Sequence, residues 1–380
     1  MHDFLLKELV TDDIEQELKN IGFDKTYTHF AKKKFEYKNF KIFNLNPAQA
    51  NILKQTAISV GADCGTHREV ITGKIESSSC ILGGSYAQII KISKKLQAQP
   101  FKLKILGQML EKQISCCNAP ERTQIMGVLN VTTNSFSDGG EFHSFEKAIK
   151  HLHEMIEDGA DIIDIGAEST KPYSSPVNSD AQLEKLCPIL EYIKEHNIKI
   201  PISIDTRSSV VAKKCIELGA NIINDVSGFD FDEKMPDIIS NYPDVKVIIQ
   251  HSQGSPENMQ NSPHYDNLMD EIFVNLQTKV NFAISKGIKK ENIILDPGIC
   301  FGKTKEHNFE ILKRWKELKT LGCPILIGLS RKSLLGMPDA TNQEKDMYSL
   351  AFDSILMKEK VDYIRVHNVK IHKIFQNIIG

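Results

Sequence analysis

The stretch SFEKAIKHLHEMIEDGADIIDIG (144–166) decides the fold. Phe145, Ile149, Leu152 and Ile156 recur at helical spacing, which predicts an amphipathic helix with one buried stripe. Gly159 stands where a left-handed residue ends a helix. The Ile-rich run after it is short, apolar and closed by polar residues or glycine, as expected of a strand buried on both faces. Outward from this stretch the same unit recurs. Strand-like runs fall at QIMGVLNV (124–131), DIIDIG (161–166), IPISID (200–205), NIINDV (221–226), VKVIIQH (245–251), NIILDPG (292–298), CPILIGLS (323–330) and DYIRVH (362–367). Helical segments separate them, such as SSVVAKKCIELGAN (208–221), with Ser208 or Ser209 as N-cap and Gly219 as terminator.

Eight strand–helix units after residue 124 match the ~250-residue size of a (β/α)8 barrel. The expected fold is therefore α/β, a TIM barrel preceded by a small α/β extension. A doubly wound open sheet is the alternative; it normally uses fewer strands, and no G-x-G-x-x-G follows the first one. Residues 1–117 read as the extension: a helical-looking start, then FEYKNFKIFNL (35–45) and a block from Asn46 to Pro100 with the makings of an α/β unit. Periodicity stops at ISCCNAPERT (114–123), read as the linker, and 118–380 as the barrel.

The 380 residues, 41% hydrophobic and 25% charged, match a globular chain and argue against disorder or coiled coil. With 47 Lys+Arg against 49 Asp+Glu, no global basic field recruits nucleic acid or an anionic membrane. The charged start lacks a secretion signal's apolar core, and no stretch is long and apolar enough for a bilayer, so the expected location is cytoplasmic. Eight cysteines without a C-x-x-C pair fit neither a zinc ribbon nor a thioredoxin-like site; adjacent Cys116 and Cys117 read as linker residues.

Active sites of such barrels form at the C-terminal strand ends, and here those ends are polar. In strand order they offer Asn130; Asp164, Glu168 and Thr170; Asp205 and Arg207; Asn224 and Asp225; His251; Asp296; Ser330, Arg331 and Lys332; Arg365 and His367. Any one alone reads as a capping or bracing residue, but eight together point to a site. Carboxylates and amides from strands three, four and six suit a flat heterocycle with several N–H donors and carbonyl acceptors. Arg365 and His367 neighbour Asn130 and the loop TTNSFSDGG (132–140) where a barrel closes, a plausible phosphate site.

The strings MGVLNVTTNSFSDGG, DIIDIGAESTKP, ISIDTR, NIINDVSG, ILDPGICFGK, IGLSRKS and YIRVHNV resemble, in order, those of the dihydropteroate synthase family of folate biosynthesis, from about Ile125 to the C-terminus. The resemblance implies a transferase: p-aminobenzoate displaces pyrophosphate from the CH2 group of a dihydropterin pyrophosphate, giving 7,8-dihydropteroate. It implies pterin contacts at Asp205, Asn224, Asp296 and Lys332, with Asp205, Asp296 and Lys332 catalytic. It places pyrophosphate at Asn130, Arg365 and His367, with Mg2+ on Asn130, and p-aminobenzoate at Thr170, Pro172, Phe301 and Ser333. It also implies a homodimer and a sulfonamide target. The sequence departs from the family pattern at Lys171, Tyr173, Ser252, Cys300 and Asn368, none a position whose charge the chemistry requires. The block around NPAQANILKQ and GADCGTHREVITGKIE is similar to a leading segment of some longer family members, and His67, Arg68 and Glu69 within it read as a solvated turn.

Three other readings compete. A methyltetrahydrofolate-dependent methyltransferase barrel shares pterin recognition but needs no pyrophosphate site. A Schiff-base aldolase would use Lys332. A non-catalytic scaffold would leave the polar strand ends unexplained.

Overall fold

The computed structural model describes residues 6, 7, 9, 11, 13–115, 120–131, 140–168, 177–254, 263–332, 334 and 339–379, with the side chains of 140–144 excepted. The chain divides into two compact units, Met1–Asn118 and Ala119–Gly380. Among the described residues no helix is long and apolar enough to cross a membrane.

The first unit runs α1 (Ile14–Asn20), α2 (Thr28–Phe35), β1 (Tyr37–Leu45), α3 (Pro47–Ile58), β2 (Asp63–Gly65), β3 (Ser78–Ser85), α4 (Tyr86–Gln97) and α5 (Leu103–Ser115). Its sheet is antiparallel in the order β1-β3-β2. Capping boxes start two helices: Asn46 with Gln49 opens α3, and Ser85 with Gln88 opens α4. The core is apolar, built on Leu53, Leu82, Ile89, Ile92, Leu96, Leu103 and Leu110. Gly107 lets α5 approach α4 closely; a Cβ there would lie 2.6 Å from the Ser93 carbonyl oxygen. His67, Arg68 and Glu69 form the expected turn, a 3-10 segment with the Arg68 side chain 88% exposed.

The second unit alternates strand and helix throughout. It runs β4 (Gln124–Asn130), α6 (Gly140–Glu157), β5 (Ile162–Gly166), α7 (Ser179–Glu195), β6 (Ile202–Asp205), α8 (Ser209–Glu217), β7 (Ile222–Asp225), α9 (Met235–Ser240), β8 (Lys246–Gln250), α10 (Leu268–Ser285), β9 (Ile293–Asp296), α11 (Lys305–Arg314), β10 (Leu326–Ile327), α12 (Asn342–Lys358), β11 (Tyr363–Val366) and α13 (Val369–Ile379). The eight strands are parallel in the order β10-β11-β4-β5-β6-β7-β8-β9. A bridge between Leu295 and Ile325 joins the two ends and closes the barrel. Ser208 is the N-cap of α8, and Gly159 and Gly219 take the left-handed conformation after their helices. The seventh strand is shorter than the run 323–330 foreshadows: Pro324 has no N–H to donate, and the paired ladder spans only Leu326–Ile327.

Side-chain alternation makes the barrel two-layered. Met126, Ile162, Ile222, Ile248, Ile294, Leu326 and Tyr363 form one apolar cluster contributed by seven strands, the barrel's floor. Two positions further along their strands, on the same face by strand periodicity, stand Asp164, Asn224, Gln250, Asp296 and Arg365. The intervening Ile163, Ile223, Ile249, Leu295 and Ile364 belong to the core cluster that includes the helices. The strands are thus apolar outward and, Ser203 apart, along the floor, with their other buried polar groups at the top of the interior.

Candidate active site

Arg365 organises the top layer. Its Nη2 donates to Asp205 Oδ2 at 2.6 Å, and its Nε lies 2.7 Å from Asp164 Oδ2 as an ion pair without a formed hydrogen bond. Asp164 also accepts from Ser203 Oγ at 2.6 Å and from Asn224 Nδ2 at 3.2 Å. Strands β5, β6, β7 and β11 are thereby linked by one buried network. Gly328 packs beside Arg365; a Cβ there would make ordinary contact with the Arg365 Cβ at 3.4 Å. Gly166 lies likewise between Asp205 and Asn130.

Burial raises the pKa of Asp205, with Arg365 opposing and Asp164 reinforcing the shift. Burial also raises Asp296, against the pull of Lys332. For Lys332, burial lowers the pKa while Asp296 opposes. Burial alone would lower Arg365, but Asp164 and Asp205 hold it above its ordinary value, so it remains a cation. The Asn224 Oδ1 is a buried acceptor with no hydrogen-bond partner among the described residues.

On the other side of the barrel, Asp296 Oδ1 accepts from Gly298 N at 2.7 Å. The following turn carries left-handed Gly298, Cys300 and Gly302. At Gly298 no side chain fits, because a Cβ would meet the His251 carbonyl oxygen at 1.9 Å. Lys332 Nζ donates to Ile299 O at 2.8 Å and sits 4.8 Å from the centre of the Phe301 ring. His367 is held by Ser330, whose Oγ lies 3.0 Å from Nδ1 and accepts from the backbone N at 3.2 Å.

Asp205, Asn224, Asp296, Lys332, Arg365, His367, Asn130 and Phe301 all lie at the C-terminal strand ends or in the loops that follow. Thr170, Pro172 and Ser333, with Lys171 and Tyr173, lie outside the described residues. Arg365, from the set expected to hold pyrophosphate, is bonded to Asp205, from the set expected to hold the pterin, so the two sets meet in one network. Other polar strand ends brace the fold. Asp225 accepts from Ser227 N, Ser227 Oγ and Phe229 N; Arg331 forms a bidentate pair with Asp346; and Arg207 pairs with Glu168 at 2.6 Å. Asp164 stood among the strand ends without a site role; its signal was an acidic residue in an otherwise apolar strand.

Among the described residues no group of three His, Cys, Asp or Glu side chains could hold a metal ion. Asp164 and Asp205 both pair with Arg365. That leaves the Asn130 amide, a donor set adequate for Mg2+ only when substrate phosphates and water complete the shell.

Comparison with known proteins agrees with this geometry. A family of pterin-binding enzymes matches residues 126–367. A curated dihydropteroate synthase from Clostridium beijerinckii is 43% identical over 66% of this chain and 91% of its own length. A Helicobacter pylori protein named as a bifunctional dihydropteroate synthase/dihydropteroate reductase is 32% identical over 98% of this chain and 99% of its own. The crystal structure of dihydropteroate synthase from Clostridium difficile, obtained with pteroic acid, superimposes with a TM-score of 0.64 at 40% identity, covering 69% of this chain and 97% of that one. With its motifs in order, its barrel closed and its polar layer linked through Arg365, the chain belongs to the dihydropteroate synthase family of pterin-binding enzymes.

Proposed function

We propose that the top layer of the barrel carries out the family's condensation through the residues on it, and that the open Asn224 Oδ1 beside the buried carboxylates is the observation that carries this assignment. A dihydropterin ring presents N–H donors to Asp205, Asn224 and Asp296 and a carbonyl acceptor to Lys332. The carbon–oxygen bond of the CH2–pyrophosphate breaks with its electron pair leaving on pyrophosphate. The p-aminobenzoate nitrogen forms the new bond to that carbon and releases a proton. Buried carboxylates stabilise the positive charge growing on the pterin methylene, and Arg365 and His367 the negative charge growing on the leaving group. No covalent nucleophile is needed, so Lys332 acts as a hydrogen-bond donor rather than an imine former.

Mg2+, held by Asn130 and the substrate's phosphates, would neutralise the departing pyrophosphate. The Phe301 ring, with Thr170, Pro172 and Ser333, would hold p-aminobenzoate, where a sulfonamide should compete. The test is pyrophosphate release from pterin pyrophosphate and p-aminobenzoate, with and without thorough chelation. Release that needs Mg2+ supports the reading; full activity without the ion removes the metal from it. A homodimer is favoured by exposed Met347 and Ile355 on α12 and Ile374 and Ile378 on α13, and sedimentation showing only monomer would reject it.

A second activity is favoured by the relative that matches almost the whole chain, since its name includes dihydropteroate reductase. Such a reduction would need a two-electron donor, supplied in the assay as a reduced flavin or a reduced nicotinamide; dihydropteroate-dependent oxidation of either supports it, and rates equal to the blank reject it.

A further inference from the structure

The turn after β9 contains a buried cation that the mechanism above does not use. Lys303 is 2% exposed and forms no ion pair among the described residues. Its Nζ instead meets three groups: Phe301 O at 3.0 Å, His251 Nδ1 at 2.9 Å and His251 O at 3.4 Å. The rest of the turn is tied as closely. Phe301 N donates to Gly298 O at 3.1 Å, Cys300 N to Asn308 Oδ1 at 2.8 Å, and Tyr265 Oη to Gly302 O at 2.9 Å. Lys303 supplies the bond to the Phe301 carbonyl and joins it to the end of β8.

We infer that Lys303 is a positioning residue for p-aminobenzoate, fixing the Phe301 ring in the wall of that subsite through the Phe301 carbonyl. The inference rests on the assignment of Phe301 proposed above. A buried lysine without a carboxylate partner is unfavourable for folding, and replacement by an apolar side chain of similar length is often neutral or stabilising. Burial lowers its pKa to about 7, with Asp296 opposing and Lys332 reinforcing the shift. A fold does not need such a group; a loop that must present one ring at one angle does, because small misplacements of a substrate-positioning group are costly in rate.

The experiment compares Lys303→Met, Lys303→Gln and Phe301→Ala in the full chain, with steady-state kinetics for both substrates and thermal unfolding. For Lys303→Met the expected result is a KM for p-aminobenzoate raised about tenfold, a KM for pterin pyrophosphate changed by less than about twofold, and an unfolding midpoint equal to or above wild type. Lys303→Gln keeps a donor for the Phe301 carbonyl and should recover most of the loss. Failure of both Lys303 variants to fold, a lowered midpoint, or two KM values that rise together or stay put would overturn the inference. If Phe301→Ala alone raises the p-aminobenzoate KM, Lys303 has no positioning role. If Phe301→Ala leaves that KM unchanged, the subsite assignment itself fails.

Discussion

The two units bury different things. Among the described residues of the first unit, the buried polar side chains are Thr28, Thr56 and Ser93, and each hydroxyl bonds a backbone carbonyl: Asp24 O, Ile52 O and Gly107 O. No charged side chain is buried there. The barrel encloses Asp164, Asp205, Asp296 and Lys303 above its apolar floor. Enclosed charge opposes folding unless it is paired and hydrogen-bonded. The contrast therefore separates a module with an apolar core from one that also encloses charge, part of it bracing the fold and part of it gathered in the candidate site.

The strongest way to break this comparison is Asp205→Asn. The chain should fold while kcat for pyrophosphate release falls by about 10²–10³, the usual effect of losing one contact to transition-state charge. A kcat within about threefold of wild type would show that Asp205 is structural, like Asp225. Since burial raises Asp205 and Asp296, and both must be anionic to act, the acid limb of kcat/KM should lie above the ordinary carboxylate range. An acid limb at the pH of a free carboxylate would contradict it.

Leu53→Ala sharpens the comparison from the other side. Leu53 is fully buried in the first unit's core, so the substitution should remove about 2–5 kcal/mol from that unit's stability in urea unfolding. Pyrophosphate release at low temperature should be unchanged; a lost rate with a folded barrel would mean that the first unit serves the condensation. The smallest effect is expected from a shortened chain beginning at Asn118. All eight strands lie downstream, so it should unfold cooperatively and keep its turnover. A soluble, cooperative, inactive product would overturn the division of labour.

Much of the barrel was legible because its strands are short apolar runs closed by polar residues, and Gly159 and Gly219 mark where helices stop. The active-site residues were legible one strand at a time. Their pairing was not: Arg365 reaches Asp164 and Asp205 only when the last strand has come round beside the first, and nothing local in YIRVHNV encodes that partner. Lys303 was hidden for the opposite reason. A lysine after glycine in a loop reads as solvated, and only the folded turn reveals that its amine is enclosed by carbonyls. The seventh strand shows a third limit, since its run spans eight residues while the paired ladder spans two.

The alternation of floor and polar layer has a consequence for how errors would propagate. Asp164, Asn224, Asp296 and Arg365 each stand one pleat above a floor residue on their own strand, roughly 6.6 Å at ~3.3 Å per residue, so strand register acts as a depth gauge for the pocket. Deleting a single residue from β7 would swap Asn224 with Ile223 and turn a recognition amide into the helix layer. No substitution elsewhere could repair that, whereas lengthening a loop above the strands leaves the gauge untouched. The molecule is thereby tolerant of variation at its rim and brittle along its staves.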